Sequence, residues 1–378
     1  MNKPPHIMPA RQLPSVIGAC TEVNFFGQAF TPWHAVGIDA TIRWMQSQGR
    51  DIKGVCLLHP DASYGLACGE NAFVNNVSAY IPCEKPPRAC GFLKYMANLC
   101  QLVISTRRGK DDNETIYIAS TYVSTRLGVM AWLSLKRRVR LITIDEGVGV
   151  YLGTFGAGVP RHDSLRSWVS FLGSIPGRMV TALKNKSLRV IDNRLFLRKG
   201  GSLTLNERMF PFYKSVIQEK AAKMAVACGG FSLERKILIC TTAWERAAIA
   251  DDEDYETLLK VCRYLHAKGF QLVLKPHPRD KFFQRRAKDM QAQLLQHSIP
   301  MEVICAISQP AAIISFSSTA LITARLFWNI PAFCLSDLLD MSKLGDVYRK
   351  ETGDFKRVFH AYVSFPKTVE DIRIPAPR

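Results

Sequence analysis

Residues 271–282, QLVLKPHPRDKF, join an apolar run to a turn that contains two prolines. The run from Gln271 to Leu274 predicts a β-strand, and the prolines end it because neither can donate a hydrogen bond to a neighbouring strand. His277 is therefore expected at the carboxyl end of a strand, with Lys275 and Arg279 close to it in sequence. An imidazole flanked by cations can hydrogen-bond a phosphate and can pass a proton to a departing one. The alternative is an exposed histidine on an ordinary proline turn.

Similar apolar runs occur on both sides of this strand and alternate with segments of helical periodicity. The predicted strands are residues 15–20, 52–59, 115–120, 139–145, 236–242, 271–275, 311–316 and 330–336. The predicted helices are residues 34–49, 92–106, 125–138, 254–269, 282–297 and 319–328. Such alternation favours parallel sheets with helices on their faces. We therefore predict an α/β protein of two doubly wound domains, residues 1–225 and 226–378, with a weak pattern between residues 151 and 230.

The composition limits the partners and the compartment. The chain has 378 residues, a formal net charge of +18 and 11 cysteines. Such a basic balance favours an acidic partner, such as a nucleotide, an anionic polymer or an anionic membrane surface. No zinc finger, RNP motif or basic helix pattern points to nucleic acid. The cysteines form no CxxC pair, the N-terminal segment lacks an apolar signal core, and no apolar run has the length of a membrane span. A cytoplasmic protein is expected, soluble or peripheral on the inner membrane.

A pair of carboxylates follows another predicted strand. In the stretch ITIDEGVG, Asp145 and Glu146 come after an apolar run and directly precede Gly147. A carboxylate in this position can act as a general base that removes the proton of an attacking hydroxyl. An acidic neighbour raises the pKa of such a base toward neutrality. The alternative is a strand-end turn, where acids and glycines are common.

Two further motifs lie at predicted junctions between a strand and a helix. Ser317, Ser318 and Thr319 end a strand and begin a helix, where hydroxyls and free N–H groups can bind an anion or can simply cap the helix. In TPWHAVGI, residues 31–38, a proline suits the first helical turn, and His34 is a candidate for the acceptor side of a site or a surface histidine. Ligands of doubly wound domains bind beyond the carboxyl ends of strands, so all these motifs are expected at binding sites.

The acidic stretch DDEDYE, residues 251–256, contains a DxD pattern that would suggest a metal-dependent sugar transferase. It precedes the helical run LLKVCRYL, and acidic side chains at the start of a helix are stabilised by the helix dipole. We therefore predict that the protein uses neither a metal nor a cofactor.

Taken in order, the carboxylate pair with its glycine, the His-Pro pair and the serine pair resemble motifs of the bacterial sialyltransferases and polysialyltransferases of capsule and lipooligosaccharide synthesis. The TPWH segment also resembles the start of such chains. The resemblance implies a GT-B fold, in which two Rossmann-like domains face each other across a cleft. It further implies CMP-sialic acid as the donor, a capsular polysaccharide or lipooligosaccharide as the acceptor, free or lipid-linked, and inversion at the anomeric carbon.

The resemblance also assigns roles to individual residues. Asp145 matches the general base of the family, Glu146 stands beside it, and either acid can fill that role here. His277 matches the histidine that contacts the phosphate of CMP. The serine pair matches hydroxyls that hold the same phosphate, and the threonine after the pair allows the register to shift by one. The residues implied in donor binding are Gly147, Lys275, His277, Pro278, Ser317, Ser318 and Thr319.

Several other interpretations are left open by the sequence. A Kdo transferase would use CMP-Kdo, which has nearly the same leaving group. A CDP-glycerol glycerophosphotransferase shares the His-Pro turn and the later serine pair, although the Asp-Glu-Gly stretch fits sialyl transfer better. An inactive GT-B protein that binds a nucleotide or a glycan would not need a positioned base. The basic stretches at residues 135–140 and 161–199 suit an anionic membrane or an anionic glycan, or they simply face solvent.

Overall fold

The positions of the candidate residues are defined in a computed structural model of the chain. The structure describes residues 25–29, 32–50, 54–58, 79–82, 115–119, 139–145, 151, 189–199, 202–227, 232–241, 253–277, 280, 283–295, 299–343 and 345–374. The chain divides into two compact units, one of residues 1–146 and 155–216 and the other of residues 147–154 and 217–378. The division at residues 216–217 lies inside the helix Phe210–Ala227, which also contains the boundary predicted near residue 225.

The first unit is built on a six-stranded sheet in which all neighbouring strands are parallel. Its strands are β1 (Phe25–Ala29), β2 (Gly54–Leu58), β3 (Ala79–Pro82), β4 (Thr115–Ala119), β5 (Val139–Thr143) and β6 (Arg189–Asp192). They lie in the order β3-β2-β1-β4-β5-β6, which is the strand order of a Rossmann sheet. A hairpin follows β6 and consists of β7 (Phe196–Lys199) and β8 (Ser202–Leu205).

Two described helices belong to this part of the chain. Helix α1 (Pro32–Ser47) follows β1 and begins at a proline, whose fixed φ suits a first helical turn. Helix α2 (Phe210–Ala227) follows the hairpin, and its Tyr213 is fully buried. A Cβ atom on Gly37 of α1 would lie 3.0 Å from the Tyr213 hydroxyl and 3.1 Å from the Cβ of Ile144. Glycine therefore allows α1 to lie close to the end of β5.

The second unit contains a five-stranded parallel sheet. Its strands are β9 (Lys236–Cys240), β10 (Gln271–Lys275), β11 (Gln293–Leu294), β12 (Ala312–Ser315) and β13 (Ala332–Cys334), in the order β11-β10-β9-β12-β13. Its helices are α3 (Glu253–Ala267), α4 (Phe283–Asp289), α5 (Met301–Ile307), α6 (Thr319–Trp328) and α7 (Asp346–Phe359). The order again places the first strand of the unit inside the sheet, as in a Rossmann domain.

The core of the second unit explains why its strands are continuous apolar runs. Ile237, Ile239 and Ile314 pack in one cluster with Leu258 and Leu265 of α3, and all five are almost completely buried. The alternate strand residues are buried too, so every position from residue 237 to residue 240 is buried. Strands covered on both faces by helices lack the polar alternation of a half-exposed sheet.

The structure confirms most predicted elements that fall within its described residues. The helix predicted over residues 282–297 is wrong in its second half, because α4 ends at Asp289, Gln291 adopts a left-handed φ of 50°, and β11 then pairs with β10. Strands β1, β3, β6, β7 and β8 and helices α2, α5 and α7 are not among the predicted elements. The strand predicted at residues 15–20 and the helices predicted at 92–106 and 125–138 lie outside the described residues.

Every helix in the described parts of the chain is too short or too polar to span a bilayer.

Candidate functional site

The carboxyl edge of the second sheet collects the His-Pro and serine motifs. Strand β9 pairs with β10 on one side and with β12 on the other, so the turns that follow β10 and β12 flank the end of β9. The hydroxyl of Ser315 donates to the carbonyl oxygen of Cys240 at 2.8 Å, and the N–H of Thr241 donates to the carbonyl oxygen of Lys275 at 3.2 Å. These bonds fix the strand ends relative to one another.

His277 is held by its backbone on two sides. Its N–H donates to the Thr241 hydroxyl oxygen at 2.8 Å, and its carbonyl oxygen accepts from the N–H of Asp280 at 2.9 Å. Asp280 is buried and binds the guanidinium of Arg286 at 2.9 Å. The turn that presents the half-buried His277 is therefore anchored to β9 and to α4. Pro278 lies outside the described residues.

The two serines of the motif differ in their hydrogen bonds. Ser318 is the N-cap of α6 and accepts a hydrogen bond from the N–H of Ala320 at 3.2 Å, while Thr319 is the first helical residue. The hydroxyl oxygen of Ser317 is buried and has no well-formed hydrogen bond among the described residues. A weak interaction with this hydroxyl is the smallest of the effects on the pKa of the Cys334 thiol, which burial raises to about 11, and the thiol directs its proton to the carbonyl oxygen of Phe316, at 2.7 Å. Ser317 thus holds an unused hydroxyl at the start of a ten-residue helix.

Lys275 ends β10 in a buried setting with a carboxylate near it. Burial lowers the pKa of its ammonium group, while the negative charge of Glu302 acts in the opposite direction. Glu302 of α5 is 9% exposed, and its carboxylate accepts from the Thr323 hydroxyl of α6 at 3.1 Å. Glu302 belongs to none of the motifs recognised in the sequence. The only signal for it is one acid inside the otherwise apolar helix MEVICAI.

Asp145 follows β5 at the carboxyl edge of the first sheet and is 2% exposed. Its Oδ2 accepts a hydrogen bond from the N–H of Leu195 at 3.0 Å. Its own N–H donates to the Tyr213 hydroxyl at 3.4 Å, and that hydroxyl donates to the carbonyl oxygen of Asn193 at 3.3 Å. Burial, and then the charge of Asp145, raise the pKa of Tyr213 well above its usual value, so the phenol keeps its proton. Glu146 and Gly147 lie outside the described residues.

His34 lies in the first turn of α1 and is buried, not on the surface. Burial lowers the pKa of its imidazole from 6.5 to about 4, so it is neutral at physiological pH. The preceding residue, Trp33, packs against Tyr213 with 5.6 Å between ring centroids. The indole N–H of Trp33 is also buried, and no residue that the structure describes forms a hydrogen bond with it. The start of α1 and Asp145 are thus connected through Tyr213.

Within each unit, the described candidates share one edge of a sheet: Lys275, His277 and the serine motif in the second, and Asp145 with the start of α1 in the first. Among the described residues, no three His, Cys, Asp or Glu side chains are grouped so that they could hold a metal ion.

A family model described as alpha-2,8-polysialyltransferase (POLYST) matches residues 82–336 of this chain. No curated protein matches the sequence.

Several solved structures resemble this one at low sequence identity. The UDP-GlcNAc 2-epimerase of Methanocaldococcus jannaschii has a TM-score of 0.53 and 10% identity, over 92% of this chain and 89% of that one. The UDP-GlcNAc 2-epimerase of Neisseria meningitidis, solved with UDP-GlcNAc, has a TM-score of 0.50 and 13% identity, over 93% and 95%. The α/β-galactoside α-2,3-sialyltransferase of Photobacterium phosphoreum has a TM-score of 0.46 and 12% identity, over 92% and 98%. The first two similarities confirm the predicted GT-B fold, with its two Rossmann-like domains.

Proposed function

Because the chain belongs to the alpha-2,8-polysialyltransferase family and is thus a sialyltransferase, we propose that its donor is CMP-sialic acid and its acceptor a hydroxyl of a cell-surface glycan. The acceptor is a capsular polysaccharide or a lipooligosaccharide, and the transfer inverts the anomeric carbon and needs no divalent metal.

The observation that carries the donor assignment is the unused hydroxyl of Ser317. A buried hydroxyl without a partner is unfavourable, because it has lost its bonds to water. It becomes favourable when a ligand supplies the missing acceptor. Ser317 stands at the start of α6, where free N–H groups and the helix dipole favour an anion. The phosphate of CMP has the charge and the acceptor oxygens that such a position requires.

His277 and Lys275 complete the proposed phosphate site from the end of β10, on the other side of β9. The hydrogen bond from the His277 N–H to Thr241 fixes the backbone that carries the imidazole. Less conformational freedom is therefore lost when the imidazole binds a phosphate oxygen. A CMP leaving group carries less charge than a nucleoside diphosphate. One histidine, one or two hydroxyls and a helix N-terminus can therefore stabilise it in place of a cation.

The proposed reaction is a single displacement. The acceptor hydroxyl oxygen forms a bond to the anomeric carbon of sialic acid while the bond from that carbon to the phosphate oxygen breaks. CMP leaves with the electron pair, and the hydroxyl proton passes to a carboxylate that follows β5. The transition state has oxocarbenium character, as in glycoside cleavage. Asp145 and Glu146 are the two acids proposed for the proton, and Asp145 is our first choice because protein contacts fix its carboxylate.

The net positive charge of the chain suggests where the enzyme binds its acceptor. A net charge of +18 attracts anionic glycans and anionic lipid headgroups. We therefore propose a cytoplasmic enzyme that works at the inner membrane surface. Flotation with anionic liposomes at low salt tests the membrane part of this proposal, and the absence of co-flotation would refute it.

The donor is tested by thermal unfolding with CMP, CDP, UDP, GDP and ADP, each with and without EDTA. A ligand that binds only the folded state raises the melting temperature by mass action. We expect a shift with CMP that persists in EDTA, followed by transfer from CMP-sialic acid and not from CMP-Kdo. A shift confined to UDP or GDP and abolished by EDTA would overturn the proposed donor.

A further inference from the structure

A second polar cluster lies beside Asp145 at the carboxyl edge of the first sheet. Asp192 ends β6, is in register with Thr143 of β5, and accepts a hydrogen bond from the Thr143 hydroxyl at 3.2 Å. The guanidinium of Arg194 binds the same carboxylate, through Nε at 2.8 Å and also through Nη2. The negative charge of Asp192 is therefore already paired with a cation.

Arg208 adds a second guanidinium to this cluster without adding a carboxylate. Its Nη2 donates to the carbonyl oxygen of Asp192 at 2.9 Å and to the side-chain oxygen of Asn193 at 2.8 Å. Its guanidinium carbon lies 4.8 Å from the centre of the Trp44 ring. Both oxygens belong to neutral groups, and within the described parts of the chain no acidic side chain pairs with Arg208.

The contacts of Arg208 fix its orientation and leave much of its bonding capacity unused. An arginine has five N–H donors, and the two on Nη2 are the ones that these oxygens engage. The donors on Nε and Nη1 have no acceptor among the described residues, and the side chain is exposed. A guanidinium held in place by a ring and two oxygens loses little freedom when it binds an anion. Its charge is not cancelled locally, so a carboxylate is the ligand that it suits best.

Arg208 is also linked to the proposed general base. It binds Asn193, whose carbonyl oxygen accepts from the Tyr213 hydroxyl, and that hydroxyl accepts from the N–H of Asp145. We propose that Arg208 is a specificity-determining residue, and that it binds a carboxylate of an anionic glycan acceptor. This inference rests on the proposed function and deepens it, because it makes a negatively charged sugar near the accepting hydroxyl a requirement for tight binding.

Direct binding measurements separate this role from turnover. The probe is an α-2,8-linked sialic acid trimer, compared with the same trimer after its carboxylates have been converted to methyl esters. Isothermal titration without donor gives the affinity of wild-type protein, Arg208→Ala, Arg208→Lys and Arg263→Ala for both probes. Arg263 is a matched control, because it is an exposed arginine of α3 whose Nε donates, within the described part of the chain, to the carbonyl oxygen of Leu259 alone.

We expect wild-type protein and Arg263→Ala to bind the acid at least about tenfold more tightly than the ester, since a charged hydrogen bond is lost with the ester. Arg208→Ala should lose this preference, and Arg208→Lys should keep only part of it. A purely structural role would weaken the acid and the ester equally. Equal weakening of both probes would overturn the inference. So would an Arg208→Ala variant that still prefers the acid to the ester, or a wild-type protein that does not bind the trimer. CMP is titrated into the same samples as a separate test of the donor. If CMP does not bind, the proposed function fails, whatever the result for the trimer.

Discussion

The phenolic oxygen of Tyr213 lies 3.4 Å from the backbone nitrogen of Asp145 and accepts its hydrogen bond. The same hydroxyl donates to the carbonyl oxygen of Asn193 at 3.3 Å, and the tyrosine is fully buried. One side chain of α2 thus satisfies two backbone groups at the ends of β5 and β6. It also fixes the backbone position from which the Asp145 side chain extends.

Tyr213→Phe is therefore expected to destabilise the protein. The substitution keeps the ring but removes the hydrogen bonds that the hydroxyl makes to the N–H of Asp145 and to the buried carbonyl oxygen of Asn193. Such a loss costs about 1–3 kcal/mol in the free energy of unfolding. Urea denaturation measures this loss. Tyr264→Phe is the control, because no described residue forms a hydrogen bond with the Tyr264 hydroxyl. Equal stability of the two variants would show that the Tyr213 hydroxyl does not hold this strand end.

His34 predicts a dependence of stability on pH. The pKa of its imidazole is about 4 in the folded protein and 6.5 without burial, so the unfolded chain binds the proton more readily. Stability is fully present above pH 6.5 and falls as the pH drops toward 4, by roughly 3 kcal/mol in all.

Urea denaturation at pH 7.5 and pH 5 measures this contribution. His34→Gln should lose less stability than wild-type protein between these two pH values, by about 2 kcal/mol. His360→Gln, which changes an exposed histidine of the C-terminal region, should behave like wild-type protein. If His34→Gln and wild-type protein show the same pH dependence, the buried imidazole is not the acid-sensitive group.

The sequence predicts four of the five strands of the second unit, β9, β10, β12 and β13, because these apolar strands are buried on both faces. KILIC and QLVLK are apolar throughout, and each is a strand with the predicted start. Helix α2 is harder to predict, because a lysine, Lys220, lies among its fully buried residues and interrupts the apolar stripe. Strand β11 is two residues long within a sequence of helical periodicity, and its pairing with β10 overrides the local preference.

The same distinction applies to the candidate site. The order of motifs along the chain and their positions after strands predict which residues share a sheet edge. The contacts that orient them come from distant parts of the sequence: Asp145 is held by residues 50 and 68 positions away. Likewise, no local pattern tells which serine caps α6 and which keeps an unused hydroxyl.

This difference between Ser317 and Ser318 predicts that removing the Ser318 hydroxyl lowers stability, whereas removing the Ser317 hydroxyl lowers the affinity for CMP. Ser318→Ala removes the N-cap of α6 and should lower the free energy of unfolding by about 1 kcal/mol. Among the described residues, the Ser317 hydroxyl has only a weak interaction with the Cys334 thiol, so Ser317→Ala should change the free energy of unfolding by less than about 0.5 kcal/mol. Its affinity for CMP should fall about tenfold or more, because a hydrogen bond to a charged group is lost. Unchanged CMP affinity in Ser317→Ala would remove this hydroxyl from the donor site.

A final pair of variants tests which of the two acidic residues after β5 is the general base. Asp145→Asn keeps an oxygen that can accept from the N–H of Leu195, so the fold should be preserved while the capacity to take a proton is lost. Loss of a general base lowers turnover by about 100-fold to 10,000-fold. Sialyl transfer should therefore fall by such a factor in Asp145→Asn, and CMP affinity should be unchanged because the proposed phosphate site is formed by the other unit.

Glu146→Gln is the matched comparison, since it removes the neighbouring carboxylate without changing the length of the side chain. We expect it to retain most of its turnover and to alter the pH profile, because a like charge beside the base raises the pKa of that base. If Glu146→Gln loses transfer while Asp145→Asn retains it, Glu146 is the base and Asp145 serves to fix the strand end. Transfer that survives both substitutions would mean that the proton is accepted elsewhere, and the mechanism proposed for this site would be wrong.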